Sequence, residues 1–356
     1  MKKPLLIFLA LICALEGLTA FWLPALTLRS DMPLMRAKKD LAGQKLDAQI
    51  LIFGDSSAGL GIDAKLLGQE TGFKTANLAL LAPCNSAAHL LLLKNYLRHN
   101  PKPKAILLMH AFDIWWRDLE METPWPPGSA RTAQTDVLAQ LFGLDFWNVA
   151  LAYRQRNPQG HMPFARFFHN FLPSQKYALD LRQLVEGRRD FWSRIGERLR
   201  QGTDHKQRLF DTLGDYRHYL FASPAEELEA QDADSVRLDA RLDWDWMKSH
   251  EFTISPFNQD SLDQLLRFTS SEGIEIWIAL PPLWEEFQTH PEAQAVLEKH
   301  RLFLRSLGEK YARVHFLNED YYWAKMQELL NSVEHLTTAG QASLTHQLAQ
   351  KIKTLN

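Results

Sequence analysis

Short apolar runs rich in β formers recur in two parts of the chain, separated by segments with helical signals. AQILIF (48–53), TANLAL (75–80) and AILLMH (105–110) read as buried strands, the first ending in Gly54. Between them, Asp63 is placed to cap a helix through Gln69 that Gly72 ends. Asn85 or Ser86 is placed to cap a helix over 87–100, which Pro101 and Pro103 stop. The rhythm returns with a helix from Asp260 to Glu272 ended by Gly273, and a strand IEIWIAL (274–280) closed by Pro281 and Pro282. A helix from Pro291 to Tyr311, a strand RVHFL (313–317) and a last helix from about Gly340 to Lys353 complete it. This alternation predicts an α/β fold with a parallel sheet of about five strands and helices on both faces, a three-layer α/β/α sandwich. Ligands of such folds lie beyond the carboxyl ends of the strands. The segments after strands one to four, and the loop before the last helix, should therefore share one rim.

From Asp113 to about Pro256 the alternation stops. Seven of the eleven tryptophans fall there: Trp115, Trp116, Trp125, Trp147, Trp192, Trp244 and Trp246. Lys176 to Leu199 reads as an amphipathic helix, and Pro124, Pro126 and Pro127 mark an irregular entry. The pattern predicts a mainly helical, aromatic-rich insertion at about 114–256. Its tryptophans either pack a core or stack on sugar rings. Trp115 and Trp116, directly after the third strand, are placed to line a cleft or to meet a membrane interface. The charged stretch 224–243 reads as a solvated helix or loop.

The N-terminus changes the picture. Lys2 and Lys3 precede an apolar run from Pro4 to Leu28 whose only charged residue is Glu16. About 20 apolar residues suffice to cross a bilayer core of roughly 30 Å, and the lysines favour a cytoplasmic N-terminus. Residues 1–28 are therefore expected to form a signal anchor and transmembrane helix, with a cleaved signal peptide as the competing reading. Residues 29–47 would be a stalk or first helix, and 48–356 would lie outside the cytoplasmic membrane, in the periplasm or at the cell surface. The rest of the chain is ordinary in composition, 46% hydrophobic and 23% charged, with a net charge of -2. That balance argues against nucleic acid as a partner. Cys13 lies inside the apolar run, so a bridge to Cys84 is not expected, and Ile12 before it spoils a lipoprotein signal. His89, His99 and His110 lack metal-ligand spacing, and no phosphate loop or dinucleotide fingerprint is present. Neither a metal nor an organic cofactor is expected.

Two segments can carry chemistry. Gly54-Asp55-Ser56 falls where the first strand meets its loop. A serine there stands at the rim, near a helix N-terminus whose amides can help bind an oxyanion; the bland reading is a turn with a solvated hydroxyl. Glu334-His335-Leu336-Thr337-Thr338-Ala339-Gly340 precedes the last helix. A serine needs a base to become a nucleophile, and imidazole suits that task near neutral pH. The bland reading of His335 is a surface histidine near a cap.

On these residues the chain resembles the SGNH/GDSL hydrolases. ILIFGDSSAGLGID looks like their first block, NLALLAPCNSAAHLLLLKNYL the second, AILLMHAFDIW the third and EHLTTAGQ the last. The N-terminal anchor and aromatic insertion resemble more particularly the membrane-tethered members that acylate cell-envelope polymers, including the alginate O-acetylation and teichoic acid D-alanylation proteins. The resemblance covers about residues 48–112 and 252–356. It implies Ser56 as nucleophile and His335 as base. Where the family has Asp three residues before the histidine, this chain has Ser332, so Asp320 (with Glu319 beside it) and Glu334 are the candidate orienting acids. The family's glycine after strand two is absent from Leu81-Ala82-Pro83-Cys84, and Phe112 stands where an asparagine is expected, unless a one-residue shift puts Asp113 there. Asn85, Asp113 and Asp55 are the remaining candidates around an oxyanion site or cleft. The implied function is serine-dependent acyl transfer to an envelope polysaccharide, with a membrane-bound O-acyltransferase as partner. A simple esterase and an inactive, polymer-binding scaffold are the rival expectations.

Overall fold

The computed structural model describes residues 7–8, 10–19, 31–81, 84–117, 122–123, 132–158 and 204–355. The chain divides into two compact units, one of Met1–Arg36 with Leu119–Gln207, the other of Ala37–Asp118 with Arg208–Asn356. The second unit carries the sheet and every candidate site residue. The division runs through the predicted insertion, so residues 208–256 belong with the α/β unit.

Five strands form the sheet: β1 (Ile50–Gly54), β2 (Thr75–Asn77), β3 (Ala105–Met109), β6 (Glu275–Ala279) and β8 (Val314–Phe316). Their order is β2-β1-β3-β6-β8, and every pairing is parallel. The fold is thus a mixed α/β fold with a parallel five-stranded sheet, compatible with an α/β sandwich. β1 and β3 are buried throughout, which is why they read as unbroken apolar runs rather than alternating ones. Burying each of their large aliphatic side chains contributes roughly 1.5–3 kcal/mol. β2 ends sooner than its apolar run. Leu78 N still donates to Ile52 O and Leu80 N to Gly54 O, so the chain follows β1 to its carboxyl end.

The helix signals are used as the chemistry of the caps dictates. Asp63 accepts from Leu66 N to start α3 (Ala64–Thr71), and Gly72 ends it at φ 76. Asn85 accepts from Ala87 N ahead of α4 (Ser86–Leu97). Gly273, at φ 74, closes α10 (Pro256–Glu272). α3 packs against α12 (Thr338–Thr354), and α4 against α10. Residues 29–47 contain α1 (Asp31–Ala42). Lys38, fully buried on it, donates to Asn77 O, Asn77 Oδ1 and the carbonyl of Gly214. Burial pushes its pKa down to about 7, against the opposing pull of Asp215.

Between β3 and α10 the α/β unit adds α7 (Tyr216–Leu220), α8 (Pro224–Glu229) and α9 (Ala233–Met247). The other unit contains the antiparallel pair β4 (Glu122–Thr123) and β5 (Thr132–Ala133), then α5 (Gln134–Phe142) and α6 (Leu144–Arg156). The last elements are the parallel pair β7 (Pro282–Trp284) and β9 (Tyr322–Ala324), and the helix α11 (Pro291–Lys310). Among the described residues no helix is long and apolar enough to cross a membrane. Residues 10–19 are helical, with Leu11, Leu15 and Leu18 exposed. The rest of the expected anchor over 1–28 lies largely outside the described residues. So do the helix expected over Lys176 to Leu199, Trp125, Trp192 and the prolines 124, 126 and 127.

Candidate functional site

The strand order reverses between β1 and β3, which opens a crevice at their carboxyl ends. Gly54 makes the first turn there. A Cβ on it would lie 1.8 Å from Met109 O and 2.6 Å from the Ala58 Cβ, so only glycine fits. Asp55 follows as N-cap of α2 (Ser56–Gly61), which puts Ser56 at the first position of that helix. Ser56 is 7% exposed, and its hydroxyl makes no hydrogen bond among the described residues.

Asp55, expected at the cleft, is instead fully buried. Its carboxylate accepts from Ser57 N (2.8 Å), Ser57 Oγ (2.6 Å), Ala111 N (2.8 Å) and His110 Nδ1 (3.3 Å). Burial alone would raise its pKa, but His110, Ser57 and Ala111 together hold it down at about 2. An anion cannot donate to an oxyanion; Asp55 ties the Ser56 turn to the end of β3. It also occupies the Ser57 amide, which is thereby closed to an oxyanion. Behind it the Nε2 atoms of His110 and His89 are 3.1 Å apart, and the His89 ring stacks on Phe53 at 5.2 Å. Burial pushes the His89 pKa well below its usual value. Among the described residues no cluster of three or more His, Cys, Asp or Glu could hold a metal ion.

His335 lies in a closed turn before α12. Leu329 and Leu336 form an antiparallel bridge, and Leu330 N donates to His335 O at 2.7 Å. The turn sets Asn331 opposite His335, with Oδ1 and Nδ1 3.0 Å apart. Burial lowers the His335 pKa, partly offset by the charges of Asp239 and Asp55. Ser332, three residues before His335, donates its hydroxyl to Asp239 Oδ2 at 2.6 Å, and Val333 N donates to the same oxygen at 3.2 Å.

A buried ion pair locks this turn against the serine helix. Arg217 donates to Leu60 O (3.3 Å) on α2 and to Leu336 O (2.6 Å) beside His335, and it pairs with Glu227. Glu227 in turn accepts from Thr338 N and Thr338 Oγ1, both at 2.7 Å. α2 also packs against α12. The helix that begins at Ser56 and the turn that carries His335, 279 positions apart in the chain, are thereby fastened together.

Of the other candidates, Glu334 and Asp113 lie close enough to Asp55 and Asp239 to feel their charge, and Asp320 stands apart. Asp320 is exposed and accepts from Trp323 Nε1 and Tyr321 N. Burial, then the charges of Asp55, Asp113, Asp239 and Asp243, push the Glu334 carboxyl well above its usual range. Asp113 pairs with Arg117. Asn85 spends its oxygen on the α4 cap, while its Nδ2 is buried with no partner among the described residues. Phe112 is buried and Trp115 packs beside His110, whereas Trp116 is half-buried and stacks on Trp246 at 4.7 Å. The residues that build the site without having been singled out are Asn331, Asp239, Arg217 and Glu227; His89 and His110 had been weighed only as metal ligands. The position of Asn331 four residues before His335 was the one local signal. The others are joined to the site only by the fold. No protein-family model matches the chain, and no curated protein matches its sequence.

Proposed function

We propose that this protein is an SGNH-type, serine-dependent acyl-transfer protein acting on a cell-envelope or exported polysaccharide, built as a three-layer α/β/α sandwich and tethered by its N-terminal segment. The observation that carries the reading is an unbonded serine hydroxyl at the switch point of the sheet, on a helix that Arg217 ties to the turn of a histidine held through one ring nitrogen. In this reading Ser56 Oγ attacks the carbonyl carbon of an acyl donor as its proton passes to His335 Nε2. The imidazolium then protonates the leaving group. A sugar hydroxyl attacks the acyl-serine, gives its proton to His335 and regenerates Ser56. The unpartnered Asn85 Nδ2 supports a donor role toward the oxyanion. A membrane-bound O-acyltransferase would supply the acyl group. With water as acceptor, the same residues would make an esterase.

A second reading, polymer binding without chemistry, is favoured by one observation: the partner of His335 Nδ1 is an amide rather than a carboxylate. Fluorophosphonate labelling of the full-length protein, read by intact mass, separates the two. Acyl chemistry predicts one adduct that is absent from Ser56→Ala and His335→Ala. Folded wild-type protein that forms no adduct would favour the binding reading.

A further inference from the structure

We propose that the two tasks of a triad acid are divided here between two positioning residues: Asn331 orients the His335 ring, and Asp239, reached through the turn, supplies the negative charge. The inference rests on the reading of Ser56 and His335 as nucleophile and base. Two pieces of geometry, and the charges around the ring, support it.

First, Asn331 and His335 face each other across a turn closed by the Leu329–Leu336 bridge and the Leu330–His335 bond. An amide oxygen only accepts, so the 3.0 Å contact assigns the proton to Nδ1 and leaves Nε2 as the basic nitrogen. An asparagine in this role has precedent in cysteine proteases that use a Cys-His-Asn set.

Second, the residue at the expected acid position is committed elsewhere. The Ser332 hydroxyl and the Val333 amide both bind Asp239 Oδ2. The carboxylate therefore anchors the two residues that lead into Glu334 and His335. Its charge reaches the imidazole over the turn rather than by a direct bond.

Third, the remaining charged groups around His335 are already engaged or oppose it. Asp55, at the Ser56 turn, is surrounded by its own donors. Arg217, from α7, disfavours an imidazolium. Glu334, on the same turn, is pushed toward its neutral form by burial and by its acidic neighbours. Asp239 is the largest of the influences that favour the charged ring.

The test follows the pH dependence of fluorophosphonate labelling and the His335 tautomer, the latter by NMR on full-length protein with labelled histidine. The His335 signal is assigned by its loss in His335→Ala. Asn331→Ala should slow labelling at least about tenfold and release the Nδ1–H tautomer. Asp239→Asn keeps an oxygen for Ser332 and Val333, so the turn should persist while the acid limb of labelling moves to lower pH. Asn331→Asp should restore the tautomer and move that limb to higher pH. A purely structural role for either residue would change stability but not the limb or the tautomer. Unchanged rate and tautomer in Asn331→Ala, or an unmoved acid limb in Asp239→Asn, would overturn the division. If the wild type never labels, the nucleophile reading fails. The division is then judged by the His335 tautomer in wild type and Asn331→Ala and by its titration in Asp239→Asn, where the same outcomes decide.

Discussion

Asp55 shows how a carboxylate beside the proposed nucleophile can be committed wholly to the interior. Replacing it by alanine strips acceptors from Ser57, Ala111 and His110 inside the core, which should cost about 3–5 kcal/mol in chemical denaturation. Its folded pKa of about 2 lies below that of an unfolded aspartate. The stabilisation is therefore complete above about pH 3.9 and is lost as pH falls toward 2, a change of roughly 2 kcal/mol. Wild type and Asp55→Asn should accordingly converge in stability over that interval. A constant gap would mean that the carboxylate is not the titrating partner. The Gly-Asp-Ser motif located this turn in the sequence, because a buried strand ending in glycine has few other uses. It did not disclose the role of Asp55, whose partners Ala111 and His110 lie beyond three helices and two strands.

At the scale of elements, α7, α8 and α9 show why a charged segment resists reading. The stretch 224–243 has the composition of a solvated helix, and most of it is exposed. Yet Glu227 is turned inward to Arg217, and Asp239 to the turn ahead of His335. A charge pattern records how many charges a helix carries, not which one or two find a buried partner. By contrast, the caps at Asp63, Gly72, Asn85 and Gly273 were legible, because a cap is chemistry within a few residues. Glu227→Gln should weaken the buried pair and both contacts to Thr338. Leaving Arg217 without its counter-ion is expected to cost about 3–5 kcal/mol. Under native conditions the variant should also label more slowly at Ser56, since the turn that carries His335 loses its fastening. Stability and labelling both at wild-type levels would show that the pair fastens nothing.

For the whole molecule, the parallel sheet was legible from its apolar runs, each long enough to declare itself. The division into two units was not, because the boundary follows contacts between distant segments rather than any change in composition. The interior also fixes a response to acid. Burial keeps His89 and His300 neutral in the fold, with His300 lowered to about 3. Once unfolded, each binds a proton below about pH 6.5. The unfolded state then holds more protons, so stability falls as pH drops from about 6.5 toward 3. The fall is at most about 1.4 kcal/mol per pH unit for each ring. Thermal unfolding between pH 7 and 4 should show this slope, and His300→Gln should flatten it. An equal slope in that variant would assign the acid sensitivity to other groups.

The distance in sequence that the Arg217–Glu227 pair spans sets an order in time during synthesis. Ser56 leaves the ribosome early, but the histidine that would activate it follows 279 positions later. At about 5–20 residues per second, that interval lasts roughly 15–55 s. Arg217 and Glu227, which fasten the histidine turn to the serine helix, are themselves made in between. A chain cut short anywhere before its last helix would carry an inert serine, so any acyl chemistry would begin only when translation is nearly complete.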